Sequence, residues 1–418
     1  MPARLRRFLP ALLALAVTGG LTTWAFPDDL PAMRAAGVVL GWIGCGLLLS
    51  SLALALREPR LASWLGGIEA MVFWHQWCGF AGYLALLAHP LALASGFLPA
   101  TPKEAWQTVS PLSESWPVWT GWLSLIVLMV GLGATFAERL AYRTRRILHA
   151  AMGAGVLLGL VHLMLLGIDE PVEPILAAAA LLLGWRAIKE DWGVGALPFV
   201  VSFVKPVAEG VVEITLKPLA DAISARPGQF VVVAFHSGRS FRGCGEFHPF
   251  TVSAGDASGD LRIAVKAIGD CTRRMQAIET GVAARVQGPF GELHAEASAA
   301  PELWVAGGMG VTPFLALLRS GHLTAPTILL YLYKTPVDAA FLAELEAFAR
   351  EDDRLRLCAI PTGLDLPDLD AVLPDAARLA GRDCYLSGPP AMVRGMTRAL
   401  RKRGVAARRV HSENLQVL

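Results

Sequence analysis

The chain has 418 residues, of which 54% are hydrophobic and 17% charged, with a formal net charge of +2. Soluble proteins carry roughly 25% charged residues, so this composition excludes a wholly soluble chain, and the near-neutral balance gives no basis for nucleic-acid binding. The six cysteines (Cys45, Cys78, Cys244, Cys271, Cys358 and Cys384) show no CxxC and no cluster spacing, which excludes a disulfide framework or a ferredoxin-type iron–sulfur centre.

Up to about residue 190 the chain is a series of apolar runs, near 8–26, 33–56, 66–98, 117–137, 147–168 and 172–188. A bilayer core of ~30 Å takes about 20 apolar residues per helix, so the expectation is a six-helix transmembrane bundle over residues 1–192. Residues 1–26 read as a retained first span rather than a cleaved leader, because no small-residue cleavage site follows them. Arg4, Arg6, Arg7, Arg57, Arg60, Arg139, Arg143, Arg145, Arg146, Arg186 and Lys189 fall on one set of alternating ends. The other set holds Asp28, Asp29, Glu104, Glu114, Asp169, Glu170 and Glu173, with Arg34 and Lys103 as its cations. The positive-inside rule then puts both termini in the cytoplasm of a multi-pass protein of the plasma or inner membrane.

This half carries four histidines, His75 and His89 in the third run and His149 and His162 in the fifth. At 1.5 Å per residue the members of each pair lie ~20 Å apart along the axis. Both runs travel in the same direction, so His75 matches His149 in depth and His89 matches His162. Histidine inside hydrocarbon is costly and calls for a partner. Two imidazoles at each of two depths suit two stacked haems, each iron held from both sides. Fourteen residues return His75 and His89 to nearly one face, whereas thirteen leave His149 and His162 about 140° apart. Either that helix is locally overwound or the two haems are laterally offset.

"HQWCGFAGYLALLAH" (75–89) and "HAAMGAGVLLGLVH" (149–162) resemble the ferric reductase and NADPH oxidase superfamily. That resemblance implies an inner b-type haem on His75 and His149 and an outer one on His89 and His162. Trp77, Phe80 and Tyr83 fall between the two depths, as steps for an electron or as ordinary packing.

From about residue 195 charge returns and short β-rich runs alternate with turns: "LPFVVSFVKPV", "VVEITLKPL", "PGQFVVVAF", "FHPFTVSAG" and "LRIAVKAIG". Their spacing predicts a small antiparallel β-barrel over 195–298. Period-2 alternation puts His248 and Phe250 on one face and Thr251 on the other. "HPFT" (His248, Pro249, Phe250, Thr251), "PGQF" (227–230), "VKAIGDCT" (265–272) and "GPFG" (288–291), in this order, resemble FAD domains of the ferredoxin-reductase type. The resemblance implies that His248 meets the FAD diphosphate, Phe250 packs on the isoalloxazine and Thr251 lies at the flavin edge. Pro249, Lys266, Gly269 and Thr272 complete the FAD set, with a helix opening at Thr272 whose free amides would receive the diphosphate. Arg242, in a glycine-rich loop, reads as solvated surface.

Residues 299–418 read as an α/β domain. "ELWVAGGMGVTPFLALL" (302–318) is a strand, a glycine turn and a helix with Pro313 suited to its first position. Gly308 and Gly310 allow close approach to a diphosphate. The segment resembles the superfamily's pyridine-nucleotide loop, which adds Thr312 and Pro313. "ILLYLYK" ends at Lys334, where the resemblance implies a grip on a 2′-phosphate that favours NADPH, with NADH also accepted. "CYLSGPPAMV" (384–393) resembles the segment beside the nicotinamide, with Ser387, Gly388 and Pro389 in place and Ser387 standing where a cysteine is usual. "VHSENLQVL" resembles the family's ending, with Leu415 where an aromatic is usual. These departures predict retained hydride transfer with looser nicotinamide access.

The resemblance covers essentially the whole chain and implies an oxidoreductase that moves electrons from cytoplasmic NAD(P)H through FAD and two haems to the far side of the membrane. Leu93, one turn beyond His89, is apolar and the second run has no interior arginine. That favours a ferric complex as small-molecule acceptor over a dedicated oxidase, with O2 and superoxide formation retained as a reading. A haem-bearing reductase serving a periplasmic protein is the alternative, docked on "LPATPKEAWQTVSPLSES" (98–115). No sequence resembling an activator-docking module is present, so no regulatory subunit is expected.

Overall fold

A computed structural model describes residues 6–26, 29–112, 115–137, 139–256, 258–291, 293–294, 300–363 and 369–413. The chain divides into two compact units, Met1–Trp192 and Gly193–Leu418.

The first unit is helical: α1 (Leu9–Trp24), α2 (Ala32–Leu54), a short α3 (Pro59–Trp64), α4 (Ile68–Ser95), α5 (Pro102–Val109), α6 (Trp116–Phe136), α7 (Tyr142–Leu165) and α8 (Val172–Arg186). All six apolar runs form helices. Among the described residues, however, four helices are long and apolar enough to cross a membrane: Ala32–Leu54, Ile68–Ser95, Trp116–Phe136 and Arg143–Leu165. The expectation of six full-length spans is corrected on this point. The first run yields 16 helical residues, or ~24 Å. The last yields 15 before loosening into a π-helical turn, Ala187–Asp191. α4 has 28 residues, ~42 Å, which exceeds a ~30 Å core. The segment 98–115 is not open loop, since α5 occupies its middle.

Helices pack as two close pairs, α2 with α4 and α6 with α7. α1 and α8 lean on α2 and α7 respectively. The basic helix ends gather at one end of this unit. Glu190, buried, accepts from the Arg57 backbone amide and from Arg57 Nε at 3.1 Å. Arg186 lies at 4.0 Å from the same carboxylate, and Arg146 meets Asp191 at 3.4 Å. Trp74 Nε1 donates to the Arg7 carbonyl at 2.8 Å.

The second unit begins with β1 (Leu197–Ala208), β2 (Val211–Pro218), β3 (Phe230–Phe235), β4 (His248–Gly255), β5 (Leu261–Lys266) and β6 (Ala283–Phe290), closed as a barrel in the order β1-β2-β5-β4-β3-β6. All its pairings are antiparallel. β1 runs 12 residues and breaks register at two places; such irregularities bend a strand, which lets it serve both β2 and β6. Phe199, Ile214, Val233, Ile263 and Val286 fill the interior at full burial. α9 (Asp270–Met275) follows β5.

Next comes a parallel sheet of β7 (Glu302–Gly307), β8 (Thr327–Tyr333), β9 (Leu355–Pro361), β10 (Asp383–Ser387) and β11 (Val410–Glu413), in the order β11-β10-β7-β8-β9. α10 (Thr312–Arg319), α11 (Leu342–Glu351) and α12 (Pro390–Lys402) are its main helices. β7 and β8 are buried along their whole length, as expected of strands covered on both faces. Strand order reverses between β7 and β10. In open α/β sheets a ligand crevice forms at such a switch point, outside the carboxyl ends of the strands.

Candidate functional site

The helical unit places each of the four histidines against a specific acceptor on the neighbouring helix of its pair. His75 Nδ1 lies 2.8 Å from the Ser51 carbonyl and 2.9 Å from Ser51 Oγ, and His89 Nδ1 lies 2.7 Å from the Gly37 carbonyl. On the other pair, His162 Nδ1 is 2.6 Å from the Pro117 carbonyl, and His149 Nδ1 is 3.1 Å from Thr135 Oγ1.

These contacts fix the tautomer. A carbonyl can only accept, so His75, His89 and His162 each carry the proton on Nδ1. Thr135 Oγ1 donates its single proton to the Gly131 carbonyl at 3.0 Å, and so accepts from His149. Every ring therefore keeps its lone pair on Nε2, the atom a metal takes. Metal-ligating histidines are oriented in this way by their other ring nitrogen.

His75 and His149 face each other with ring centroids 5.9 Å apart and planes at 74°. An iron between two imidazoles needs ring centres roughly 6 Å apart, given metal–nitrogen bonds of about 2 Å. The donor set and its spacing fit bis-histidine iron. Two glycines make room at the other depth. A Cβ on Gly41 would stand 2.9 Å from His89 Nδ1, and one on Gly121 would stand 3.1 Å from His162 Nδ1. α7 is α-helical over its full length, and both rings turn to α6. Trp77 and Phe80 are exposed on the outside of α4, whereas Tyr83 is buried with Leu48 and Leu128. Of the three aromatics, Tyr83 alone lies inside the bundle.

In the barrel, "HPFT" occupies the start of β4, with Val233 opposite His248 and Phe230 opposite Thr251. His248 and Phe250 share a face, their centroids 6.4 Å apart. Phe250 is 8% exposed and belongs to the barrel core. Pro249 and Thr251 are half-buried. The helix after β5 opens at Asp270, two residues before the expected Thr272. Thr272 Oγ1 accepts from the Ile268 and Gly269 amides, both at 2.9 Å. Those two amides, which precede the helix, are thus engaged within the turn. Lys266 Nζ ends β5 at 3.5 Å from Asp338 Oδ1. Arg242 is exposed.

At the carboxyl end of β7 the chain makes a 3₁₀ turn, Gly308–Val311, and enters α10 at Thr312. Pro313 therefore holds the second helical position rather than the first. Thr312 and Pro313 are buried, and Thr312 Oγ1 donates to the Met309 carbonyl at 2.7 Å; both shape the turn rather than project from it. A Cβ on Gly310 would collide with the Ser387 carbonyl, so this glycine lets the turn lie against the end of β10. Gly310, Ser387 and Gly388 thereby meet at the switch point, and Pro389 packs on Gly307. Lys334 is exposed just past β8, at the same edge of the sheet. Thr335 Oγ1 donates to Asp338 at 2.6 Å. That bond, followed by the charge of Lys266, holds the Asp338 carboxyl below the ordinary carboxylate range. Leu415 lies outside the described residues.

Sequence reasoning missed one feature that ties the two sites together. Arg319, the last residue of α10, donates to Glu213 on β2 at 2.5 Å and to both oxygens of Glu344 on α11 at 2.7 and 2.8 Å. Ser253 on β4 also donates to Glu213, at 2.6 Å. Burial works to lower the Arg319 pKa, but its bonds to Glu344 and Glu213 prevail and hold it above the ordinary value. α10 itself packs on β4. The helix that begins under the glycine turn thus rests on the strand that carries "HPFT". A single Arg at a helix end carries no mark of this in sequence. Ser51, Thr135, Gly41 and Gly121 were likewise missed; each lies on a helix other than that of its histidine.

Residues 40–160 match the family described as ferric reductase like transmembrane component, and residues 198–307 match an FAD-binding domain family. The reductase subunit of an aromatic O-demethylase from Amycolatopsis sp. is 30% identical over 139 residues, 30% of this chain and 42% of that protein. Dual oxidase 2 of Rattus norvegicus is 35% identical over 104 residues, 22% of this chain and 7% of that protein. The chain thus spans less than half the length of these two relatives. Among solved structures, an Amycolatopsis cytochrome P450 reductase aligns at 22% identity and TM-score 0.45, over 52% of this chain and 69% of that one. Phthalate dioxygenase reductase aligns at 21% identity and TM-score 0.44, over 53% of this chain and 69% of that one.

Proposed function

This chain belongs to the ferric reductase and NADPH oxidase superfamily with a ferredoxin-reductase-type module, and from that premise we propose that it moves electrons from cytoplasmic NAD(P)H, through FAD and two b-type haems, to an acceptor on the other side of the membrane. The observation that carries this reading is the common tautomer of the four histidines, each proton on Nδ1 and each Nε2 left as a metal ligand. His75 and His149 would hold the inner haem, and His89 and His162 the outer.

When bound, FAD accepts a two-electron hydride and releases electrons singly, and haem iron carries them one at a time. The protein's part is placement. Ser51, Thr135, Gly37 and Pro117 orient the imidazoles. His248, Pro249, Phe250, Thr251, Lys266, Gly269 and Thr272 would border the flavin. Gly308, Gly310, Ser387, Gly388 and Pro389 would receive the nucleotide at the switch point, with Lys334 toward a 2′-phosphate. Ser387 offers a hydroxyl where a thiol is usual, and hydride transfer depends on alignment more than on that group. A ferric complex is the favoured acceptor because Leu93 places an apolar side chain against Gly37 near the outer pair; O2 reduced to superoxide is the second reading.

The test is NADPH added anaerobically to the purified, FAD-loaded chain in detergent, followed by haem spectra and then a ferric chelate. Reduction of two bis-histidine haems and their reoxidation by the chelate is the expected result. A pyridine haemochrome assay with no haem in a folded sample would defeat the proposal. Superoxide-dismutase-sensitive reduction of cytochrome c in air would move the acceptor to O2.

A further inference from the structure

We propose that Cys244, Glu246, His248 and Cys271 bind one Zn²⁺ ion, and that zinc there competes with the flavin diphosphate for His248. The competition rests on the FAD reading given above; the metal site does not.

Glu246 Oε2 lies 4.0 Å from His248 Nε2 and 3.9 Å from Cys271 Sγ. The three ligand atoms all fall within 4.8 Å of one another. Tetrahedral zinc, with bonds of about 2.0 Å to nitrogen and oxygen and 2.3 Å to sulfur, sets its ligand atoms roughly 3.3–3.8 Å apart. The cluster therefore closes on an ion by movements of well under an ångström at the Glu246–His248 and Glu246–Cys271 edges. Cys244 lies beside Cys271 but outside the cluster of three close ligand atoms, so it would supply the fourth ligand by a side-chain movement.

The donor set decides the metal. Two thiolates, an imidazole and a carboxylate suit borderline-soft zinc and offer little to magnesium or calcium, which take all-oxygen shells. All four residues are half-buried, so an ion can enter from solvent. Cys244 and Cys271 pack against the barrel core, which keeps one side of the site dry. Arg274 Nη2 donates to Cys271 Sγ at 3.5 Å.

The experiment uses the full chain in detergent, stripped with a chelator and titrated with ZnCl₂ alone, with bound metal counted by plasma mass spectrometry. The expected result is one zinc per chain, weakened at least about tenfold in Cys271→Ser and in Cys244→Ser, the scale typical of a damaged metal shell. Co²⁺ in place of zinc should give a thiolate charge-transfer band that Cys271→Ser lacks. Zinc added to FAD-loaded protein should release flavin, read as a rise in free-flavin fluorescence, at a midpoint that climbs with FAD concentration; Cys271→Ser should keep its flavin. Absence of zinc binding, binding undiminished in both serine variants, or a Cys244–Cys271 disulfide in the stripped protein would overturn the site. Zinc bound at one per chain with FAD undisturbed would overturn the competition. Protein that takes up no FAD with or without zinc would defeat the flavin reading instead, and zinc stoichiometry would still judge the site.

Discussion

Thr135 and Ser51 both touch a histidine, yet their removal should have unequal effects. Thr135 Oγ1 is the acceptor found for His149 Nδ1, so Thr135→Val leaves that ring without its orienting bond. Haem retention at the inner pair should fall by about tenfold or more, measured as haem per chain on dilution. Ser51→Ala keeps the Ser51 carbonyl, 2.8 Å from His75 Nδ1, and should retain both haems. Equal loss in the two variants would contradict the tautomer argument. At the other depth, Gly41→Ala and Gly121→Ala drive a methyl onto an imidazole. Each should reduce haem content from two toward one per chain, with the inner pair unaffected.

At the scale of elements, the β4–α10 contact and the Arg319 triad make the barrel and the parallel sheet depend on one another. Removing one partner from a buried ion pair costs about 3–5 kcal/mol, because the other charge is left unpaired. Arg319→Ala should therefore release FAD at a clearly lower temperature, followed by flavin fluorescence on heating; an unchanged midpoint would show the triad to be idle. Asp338 is a milder tether. Its pKa is depressed in the fold, so its bonds to Thr335 and Lys266 are in place above the ordinary carboxylate pKa of about 4. They are lost as pH falls through the depressed value. The pH profile of hydride transfer from about 5 to 8 should then show no inflection from this pair, and Asp338→Asn should leave the shape of the profile as it was.

Elements and sites were not equally legible in the chain. Short β-rich runs such as "LRIAVK", where Arg262 is exposed between buried Leu261 and Ile263, gave the barrel strands, and the order of glycine motifs gave the sheet, because both signals are local. The histidine pairs were legible for the same reason. Their acceptors were not, since Gly37, Ser51, Pro117 and Thr135 reach them only by packing between helices. Apolar content overstated the first and last spans, because composition does not register where a helix frays or turns π-helical. Phe250 read as a flavin platform from its motif, and burial in the barrel interior leaves it little exposed face.

For the whole molecule, the basic helix ends meet at one end of the bundle, and the positive-inside rule assigns that end to the cytoplasm. Cysteine placed at Arg60 should then be labelled by an impermeant thiol reagent only in inverted vesicles, and cysteine at Lys103 only in right-side-out ones. The opposite pattern would put the dehydrogenase module outside the cell. One consequence concerns synthesis. Arg57 and Glu190 stand 133 positions apart along the chain, so the ribosome has finished the last membrane helix before the second one can be locked. The Arg57–Glu190 lock therefore closes only as translation enters the second unit of the chain.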